Sequence, residues 1–241
     1  MNIMESLQAA EPRPANSATR EDKKNYAERL SRALAKQFAS ALRDDFPGIT
    51  PDPDGKRQEA PARTSKGFKK LDVNYSTPEL GLGLGVSIKT LNYRDAKTKR
   101  YTKNYTRIDN ELRAEANDYH ERQPFAVLVA IVFMPVDCCD DGLKGNPSSF
   151  GQAIKVFRSR SERTSPQEQH NLFEKLFVGS YTFEGEKAGD VWFFDVADAP
   201  PSNGIPDERR CLSFEQLVAV IRDTYDARNK PPFHWADGSD Q

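Results

Sequence analysis

A stretch at residues 71–91, LDVNYSTPELGLGLGVSIKTL, places an aspartate and a lysine where they could act together on a phosphate ester. Apolar and polar residues alternate in both halves of this stretch, which predicts two short strands joined by a glycine-rich turn. Asp72 then lies on the polar face of the first strand, and Ser87 and Lys89 lie on the polar face of the second. Metal-dependent phosphodiester hydrolysis requires such a pairing, because a carboxylate binds Mg²⁺ while an ammonium orients the attacking water and neutralises phosphate charge.

The apolar residues of the same stretch indicate how the two strands are oriented. Alternation places them on one side of each strand: Leu71, Val73 and Tyr75 in the first, and Leu84, Val86 and Ile88 in the second. In each strand we expect these apolar side chains to point in one direction, opposite to the polar face that carries Asp72, Ser87 and Lys89.

A helix predicted at about 107–122 carries a carboxylate on its apolar face. Glu115 falls in the middle of that face and Glu111 at its margin. A carboxylate there is costly unless it is paired or bound to a metal. Two interpretations stay open: Glu115 completes a metal site, with Glu111 as its substitute, or Glu115 pairs with Arg113, Arg122 or Lys89 and binds no metal.

Asp72, Ser87 and Lys89 together resemble the PD-(D/E)XK nuclease superfamily, the fold of many restriction endonucleases. The pattern of that superfamily is an aspartate on one strand, a spacer, and Asp/Glu-x-Lys on the next strand. Ser87 departs from it, but the chain is similar to a branch of the restriction enzymes that reads Ser-x-Lys and takes a glutamate from the following helix. The resemblance implies that Asp72 and Glu115 or Glu111 ligate the metal, that Lys89 positions the nucleophilic water, and that Ser87 sits beside the metal.

The order of predicted elements also resembles the superfamily core of helix, three strands, helix and strand. A capped amphipathic helix is predicted from Ser17 or Thr19 to about Asp44. The run PFAVLVAIVFMP at 124–135 is apolar on both faces, which is typical of a strand at the centre of a helix-covered sheet. The expected fold class is α/β, with a restriction-endonuclease-like mixed central sheet flanked by helices.

The chain is expected to form one domain behind an N-terminal arm. Residues 1–18 hold two prolines and no sustained period, and they are predicted to be a flexible arm. Residues 19–241 are predicted to be a single nuclease-like domain, with its core at about 19–135. Residues 136–241 then form a scaffold or specificity part, with helices predicted from Ser165 and at 214–228.

The segment 89–107, KTLNYRDAKTKRYTKNYTR, combines seven cations with three tyrosines and one acid. Basic side chains neutralise phosphates, and tyrosines can stack on bases, so this composition favours contact with nucleic acid. The alternative is an exposed β-hairpin stabilised by packing between tyrosines and lysines on its two strands. The residues predicted to bind nucleic acid are Tyr93, Arg94, Lys97, Lys99, Arg100, Tyr101, Lys103, Tyr105 and Arg107.

Composition limits the class of protein without choosing a function. The formal net charge of the 241 residues is −1, so any basic surface must be local. The three cysteines, Cys138, Cys139 and Cys211, lack paired zinc spacing and indicate reduced thiols. No apolar run reaches membrane-spanning length, and a signal-peptide core is absent from the sequence, so a cytoplasmic protein without membrane contact is expected.

The resemblance implies a Mg²⁺-dependent endonuclease that hydrolyses double-stranded DNA, of type II restriction kind, in defence against phage. Mn²⁺ is the expected substitute for Mg²⁺, and a homodimer or larger assembly is expected because two strands must be cut. The alternative is a catalytically inactive member of the same fold that binds nucleic acid or serves in an assembly, with Ser87 marking a lost site.

Overall fold

The computed structural model describes residues 2–54, 61–78 and 81–229. In these residues the chain forms five α-helices: α1 Met4–Ala10, α2 Arg20–Leu42, α3 Tyr105–His120, α4 Ser149–Phe157 and α5 Phe214–Arg228. It also forms seven strands: β1 Pro61–Thr64, β2 Gly67–Lys70, β3 Val73–Thr77, β4 Gly81–Thr90, β5 Val127–Pro135, β6 Lys175–Tyr181 and β7 Val191–Asp195.

Five of these strands form a mixed central sheet in the order β3-β4-β5-β6-β7. The pairs β4–β5 and β5–β6 are parallel, whereas the outer pairs β3–β4 and β6–β7 are antiparallel. Helices α2 and α5 cover one face of the sheet, and α3 and α4 cover the other. The expectation of an α/β protein with a mixed sheet between helices is confirmed.

The strongest sequence patterns produce the elements that were predicted from them. Every residue of β5 is buried, because this central strand is covered on both faces. Helix α2 begins at the predicted cap, where the Thr19 side chain accepts a hydrogen bond from the Asp22 N–H. Its buried stripe, which includes Leu30, Leu34 and Phe38, packs on the sheet.

The N-terminal segment differs from the flexible arm predicted for residues 1–18. Residues 4–10 form α1, and the Ile3 N–H donates a hydrogen bond of 2.8 Å to the carbonyl oxygen of Gly189. Ile3, Leu7 and Ala10 are buried in the same core as α2. Three apolar side chains suffice here because α2 supplies the rest of the buried surface.

A short ribbon of two antiparallel strands, β1 and β2, precedes the central sheet in the chain. It packs on α3, where the Ser65 N–H donates a hydrogen bond of 3.1 Å to the Asp118 carbonyl oxygen. Lys66 and Lys69 both form ion pairs with the buried Asp118 carboxylate. The position of the ribbon therefore depends on contacts with α3, which is distant in sequence. The pattern of residues within the ribbon does not reveal these contacts.

The region after α4 also differs from the prediction. The helix expected from Ser165 is not formed, and β6 begins at Lys175. Leu176 and Val178 face the α3 side of the sheet, while Phe177 faces the α2 side. The closely spaced apolar residues of β6 pack into both cores. In so short a segment, this spacing cannot be distinguished from that of an amphipathic helix.

The predicted boundary near residue 135 does not divide the central sheet. Strands β6 and β7 lie beyond it, yet they continue the sheet from β5. Phe214, Leu217 and Ile221 of α5 pack into the same core as α2. The C-terminal part thus completes the core. None of the helices in the described ranges has the length and apolar character needed to cross a membrane.

Candidate active site

Asp72 lies in a bend immediately before β3 and ties this strand to β4. Its Oδ2 accepts a hydrogen bond of 2.7 Å from the Ile88 N–H. The bend interrupts the alternation, so Leu71 packs in the α3-side core while Val73 and Tyr75 pack on the α2 side. The prediction that Leu71 shares a face with Val73 is therefore wrong, but Asp72 remains on the side of α3.

Lys89 and Glu115 meet beneath α3. The Lys89 Nζ lies 3.0 Å from the Glu115 Oε2, although the two residues belong to β4 and α3. Their side chains are 21% and 15% exposed, so the pair is desolvated in part yet reachable from solvent. A phosphate could approach this position without unfolding either element.

The charge of Lys89 is set by the acids around it. Burial lowers the pKa of its ammonium, but the carboxylates of Glu115, Asp72 and Glu111 outweigh burial and raise the pKa above its ordinary value. Lys89 is therefore a cation at neutral pH. It can donate hydrogen bonds and neutralise negative charge, whereas it cannot act as the general base.

Two buried hydroxyl groups lie beside this cluster. The Oγ of Ser87, which is fully buried, and the OH of Tyr119 have no hydrogen-bond partner among the described residues. Burial raises the pKa of Tyr119, and the carboxylates of Glu115, Asp72 and Asp118 raise it further. Tyr119 thus lies near the carboxylates of the cluster, a position that a tyrosine on an apolar helix face does not reveal in the sequence.

Glu111 lies outside the cluster. Its side chain is exposed and its Oε1 accepts a hydrogen bond of 2.8 Å from Arg107, one turn earlier in α3. The structure therefore brings together Asp72, Ser87, Lys89 and Glu115. It places Glu111 at the edge, where it influences Lys89 only through its charge.

The cluster offers oxygen atoms of the kind that a hard divalent cation prefers as ligands. No group of three or more His, Cys, Asp or Glu side chains in the described part of the chain could hold a metal ion. Asp72 and Glu115 can supply two carboxylates, and Ser87 adds a buried oxygen that lacks a protein partner in that part. Mg²⁺ commonly binds through one or two carboxylates and keeps several waters or phosphate oxygens, so this donor set suits it.

The tyrosines of the basic segment have a structural role. The hydroxyl groups of Tyr101 and Tyr105 donate hydrogen bonds of 2.8 Å to Asp137 Oδ1 and 2.7 Å to the Ser149 carbonyl oxygen. Both rings are buried, so neither is available to stack on a base, contrary to the prediction. Tyr93 is half-buried and packs edge-on against Tyr26.

The cations of this segment are engaged to different degrees. Arg94 binds Asp137, and Arg100 donates to the Pro147 carbonyl oxygen. Apart from Lys89 of the cluster, the other four cations of the segment are exposed: Lys97, Lys99, Lys103 and Arg107. Of these, Lys103 pairs with Asp95 and Arg107 with Glu111. The segment forms a turn and a short 3₁₀ helix at Thr102–Asn104 where a β-hairpin was the alternative.

Comparisons with known proteins give no relative. No family model, curated protein or solved structure matches this chain. Any function must therefore be inferred from the arrangement of Asp72, Lys89 and Glu115 themselves.

Proposed function

We propose that this protein is a metal-dependent endonuclease that hydrolyses phosphodiester bonds in double-stranded DNA, with a restriction-endonuclease-like arrangement of its sheet and helices. The observation that carries the proposal is the convergence of Asp72, Lys89 and Glu115, where the charges of both carboxylates act on the Lys89 ammonium. Three separate elements supply these groups: the bend before β3, strand β4 and helix α3. Their convergence supports one reactive centre.

Asp72 and Glu115 would hold the cation, which we expect to be Mg²⁺ with Mn²⁺ as a substitute. When bound, such an ion polarises a phosphate oxygen and lowers the pKa of a coordinated water. The Asp72 carboxylate is positioned by the Ile88 N–H, so its orientation is fixed before any ligand arrives. Glu115 is held towards the same place by Lys89.

Lys89 would stabilise negative charge as the phosphodiester reacts. Its raised pKa keeps all its N–H donors present at neutral pH, so it can orient the attacking water and donate to a phosphate oxygen. Ser87 lies two residues earlier on the same side of β4. Its Oγ, which has no partner within the described ranges, can donate to a water or phosphate oxygen.

The choice of DNA as substrate and the role in restriction of phage follow from the resemblance in sequence order. Exposed lysines at positions 97, 99 and 103 give the loop before α3 a local positive charge on a chain whose net charge is −1. Cutting both strands of a duplex would call for a homodimer or a larger assembly. A cytoplasmic location fits that role.

A second candidate function is a non-catalytic, nucleic-acid-binding subunit of the same fold. Two observations favour it: a serine stands at position 87 where the superfamily has a carboxylate, and Glu115 already forms an ion pair with Lys89. Binding without cleavage would distinguish this candidate from the endonuclease.

Cleavage of supercoiled plasmid in Mg²⁺ tests the proposal. The wild type should nick or linearise the plasmid, and EDTA should abolish the reaction. Asp72→Asn and Lys89→Met preserve side-chain volume and should remove activity, whereas Asp109→Asn, on the same helix as Glu115 but paired with Arg160, should retain it. A wild type that leaves the plasmid intact in both Mg²⁺ and Mn²⁺ would overturn the proposal.

A further inference from the structure

The β1–β2 ribbon has an outward face that the proposed chemistry does not use. Arg63 is the cross-strand partner of Phe68, and Lys70 is the partner of Pro61. Phe68 is 68% exposed, although a large apolar side chain is normally buried. The guanidinium carbon of Arg63 lies 5.8 Å from the centre of the Phe68 ring. An aromatic ring is thus displayed to solvent with a cation beside it.

The inward face fixes the position of the ribbon. Ala62 and Thr64 are buried on that side. The Lys66 Nζ donates a hydrogen bond of 2.8 Å to Asp118, whose side chain is 3% exposed, and Lys69 binds the same carboxylate. Asp118 follows Glu115 by one turn of α3, and β2 leads within two residues to Asp72. The ribbon is therefore connected to the reactive cluster of Asp72, Ser87, Lys89 and Glu115 in two ways. Its ion pairs hold it to α3 near Glu115, and the chain joins it directly to Asp72.

The charge of the ribbon limits what can cover it. Residues 61–70 contain four cations and no acid. Asp118 of α3 pairs with Lys66 and Lys69, and Glu121, just after α3, accepts a hydrogen bond from the Ser65 hydroxyl. A DNA duplex complements this face, because cations bind phosphates while an apolar ring can contact the base edges in the major groove, such as a thymine methyl group. A two-stranded ribbon also has the width that the major groove of a duplex admits.

We infer that the outward face of the β1–β2 ribbon, through Arg63 and Phe68, binds double-stranded DNA next to the reactive cluster. Arg63 contacts a phosphate and Phe68 contacts a base. The placement beside the scissile bond rests on the proposed function, whereas the binding of DNA by this face does not.

Fluorescence polarisation with a labelled duplex in EDTA measures this binding without cleavage. Phe68→Leu should weaken binding about tenfold, which is the scale of losing one base-pair contact in a duplex, and Phe68→Tyr should bind like the wild type. Phe125→Leu is the matched control, since Phe125 is also exposed, at 58%, but precedes β5. Arg63→Gln should reduce the salt dependence of binding by about one counterion, whereas Arg32→Gln, exposed on α2, should not.

Equal affinities of the wild type and Phe68→Leu would overturn the inference, and so would a wild type that binds no duplex. A change in sedimentation of Phe68→Leu without a change in duplex affinity would also overturn it, because the face would then contact a second copy of the chain. If the expected pattern of affinities appears without any Mg²⁺-dependent cleavage, the ribbon inference stands and the endonuclease proposal fails.

Discussion

The contact between Lys89 and Glu115 joins residues that are 26 positions apart in the chain. An isolated carboxylate in such a half-buried place would be costly, and so would an isolated ammonium, so each stabilises the other in the absence of ligand. The same pairing keeps both side chains in one orientation. A site of this kind is organised before the substrate binds.

Glu115→Gln should reduce the rate of Mg²⁺-dependent plasmid cleavage about 100-fold or more, because the amide is a poor ligand for a divalent cation. Glu111→Gln should change the rate by no more than about threefold, since Glu111 is exposed and pairs with Arg107. Initial rates at saturating Mg²⁺ measure both effects. The reverse ranking of the two variants would mean that the wrong glutamate has been placed in the site.

At the residue scale, the sequence predicted which groups could act together in a proposed site. Asp72, Lys89 and Glu115 follow from strand alternation and helix periodicity, and the structure brings them together. Leu71 was misplaced because the bend at Asp72 depends on a hydrogen bond from Ile88, sixteen residues away. Tyr101 was predicted to contact nucleic acid, but its hydroxyl instead donates to Asp137. That partner is distant in sequence, so the sequence pattern did not reveal it.

At the scale of elements, α3 serves both the reactive cluster and the ribbon. Its Glu115 contacts Lys89, and one turn later its Asp118 holds Lys66 and Lys69. A shift of this helix would move both surfaces together. The helix therefore sets the distance between the outward face of the ribbon and the cluster of Asp72, Lys89 and Glu115.

Asp118→Ala should release the ribbon from α3 and raise amide exchange in residues 61–70 about tenfold, with β5 amides unchanged. Burial raises the Asp118 pKa, but Lys66 and Lys69 outweigh burial and lower it. The ion pairs are therefore present above the ordinary aspartate pKa of about 3.9 and are lost only as the pH falls through the lower folded value. Hydrogen exchange by mass spectrometry tests this.

Asp109→Ala is the matched control for that experiment, because Asp109 lies on α3 but pairs with Arg160. It should leave exchange in the ribbon unchanged. Equal protection of the ribbon in the wild type and in Asp118→Ala would show that Asp118 does not anchor it.

Ser213→Ala should lower the free energy of unfolding by about 1 kcal/mol, because it removes the side chain that caps α5. In the wild type the Ser213 Oγ accepts from the Gln216 N–H, and the Gln216 side chain accepts from the Ser213 N–H. Urea denaturation measures the change. Ser165→Ala, in a turn where a capped helix was predicted, should have a smaller effect.

Elements with a strong local pattern were predictable, and those held by distant contacts were not. Helix α2 and strand β5 have buried faces that are continuous along the sequence. The β1–β2 ribbon has few apolar residues, and its stability depends on Asp118 of α3. Helix α1 is short and depends on packing against α2.

At the scale of the whole molecule, a buried ionic network joins elements at the other end of the sheet. Arg163 and Arg228 each lie 2.9 Å from Glu174 Oε1, and the Leu128 N–H donates 2.7 Å to Glu174 Oε2. His120 at the end of α3 lies 3.4 Å from the same carboxylate. Helices α3 and α5 and strand β5 thus meet at one acid.

Glu174→Gln should lower the free energy of unfolding by about 3 kcal/mol, because it leaves two arginines buried without a carboxylate. Burial raises the Glu174 pKa, but His120, the Leu128 N–H and Arg228 outweigh burial and lower it. The difference from the wild type should be constant above the ordinary glutamate pKa of about 4.3 and shrink as the pH falls through the lower folded value.

Urea denaturation between pH 3 and pH 8 measures this difference. Glu162→Gln, at an exposed neighbouring acid, is the control and should change stability by less than about 0.5 kcal/mol. A destabilisation by Glu174→Gln that is no larger than that of Glu162→Gln would contradict the role of the network.

The most direct test of the central claim is plasmid cleavage by the wild type, Lys89→Met, Glu115→Gln and the double variant in Mg²⁺, with thermal unfolding to establish that each is folded. If Lys89 and Glu115 act as one unit with Asp72, the wild type cuts, each single variant loses nearly all activity, and the double variant loses little more. Folded Lys89→Met protein that cuts at the wild-type rate would contradict the assignment of this cluster as the catalytic centre.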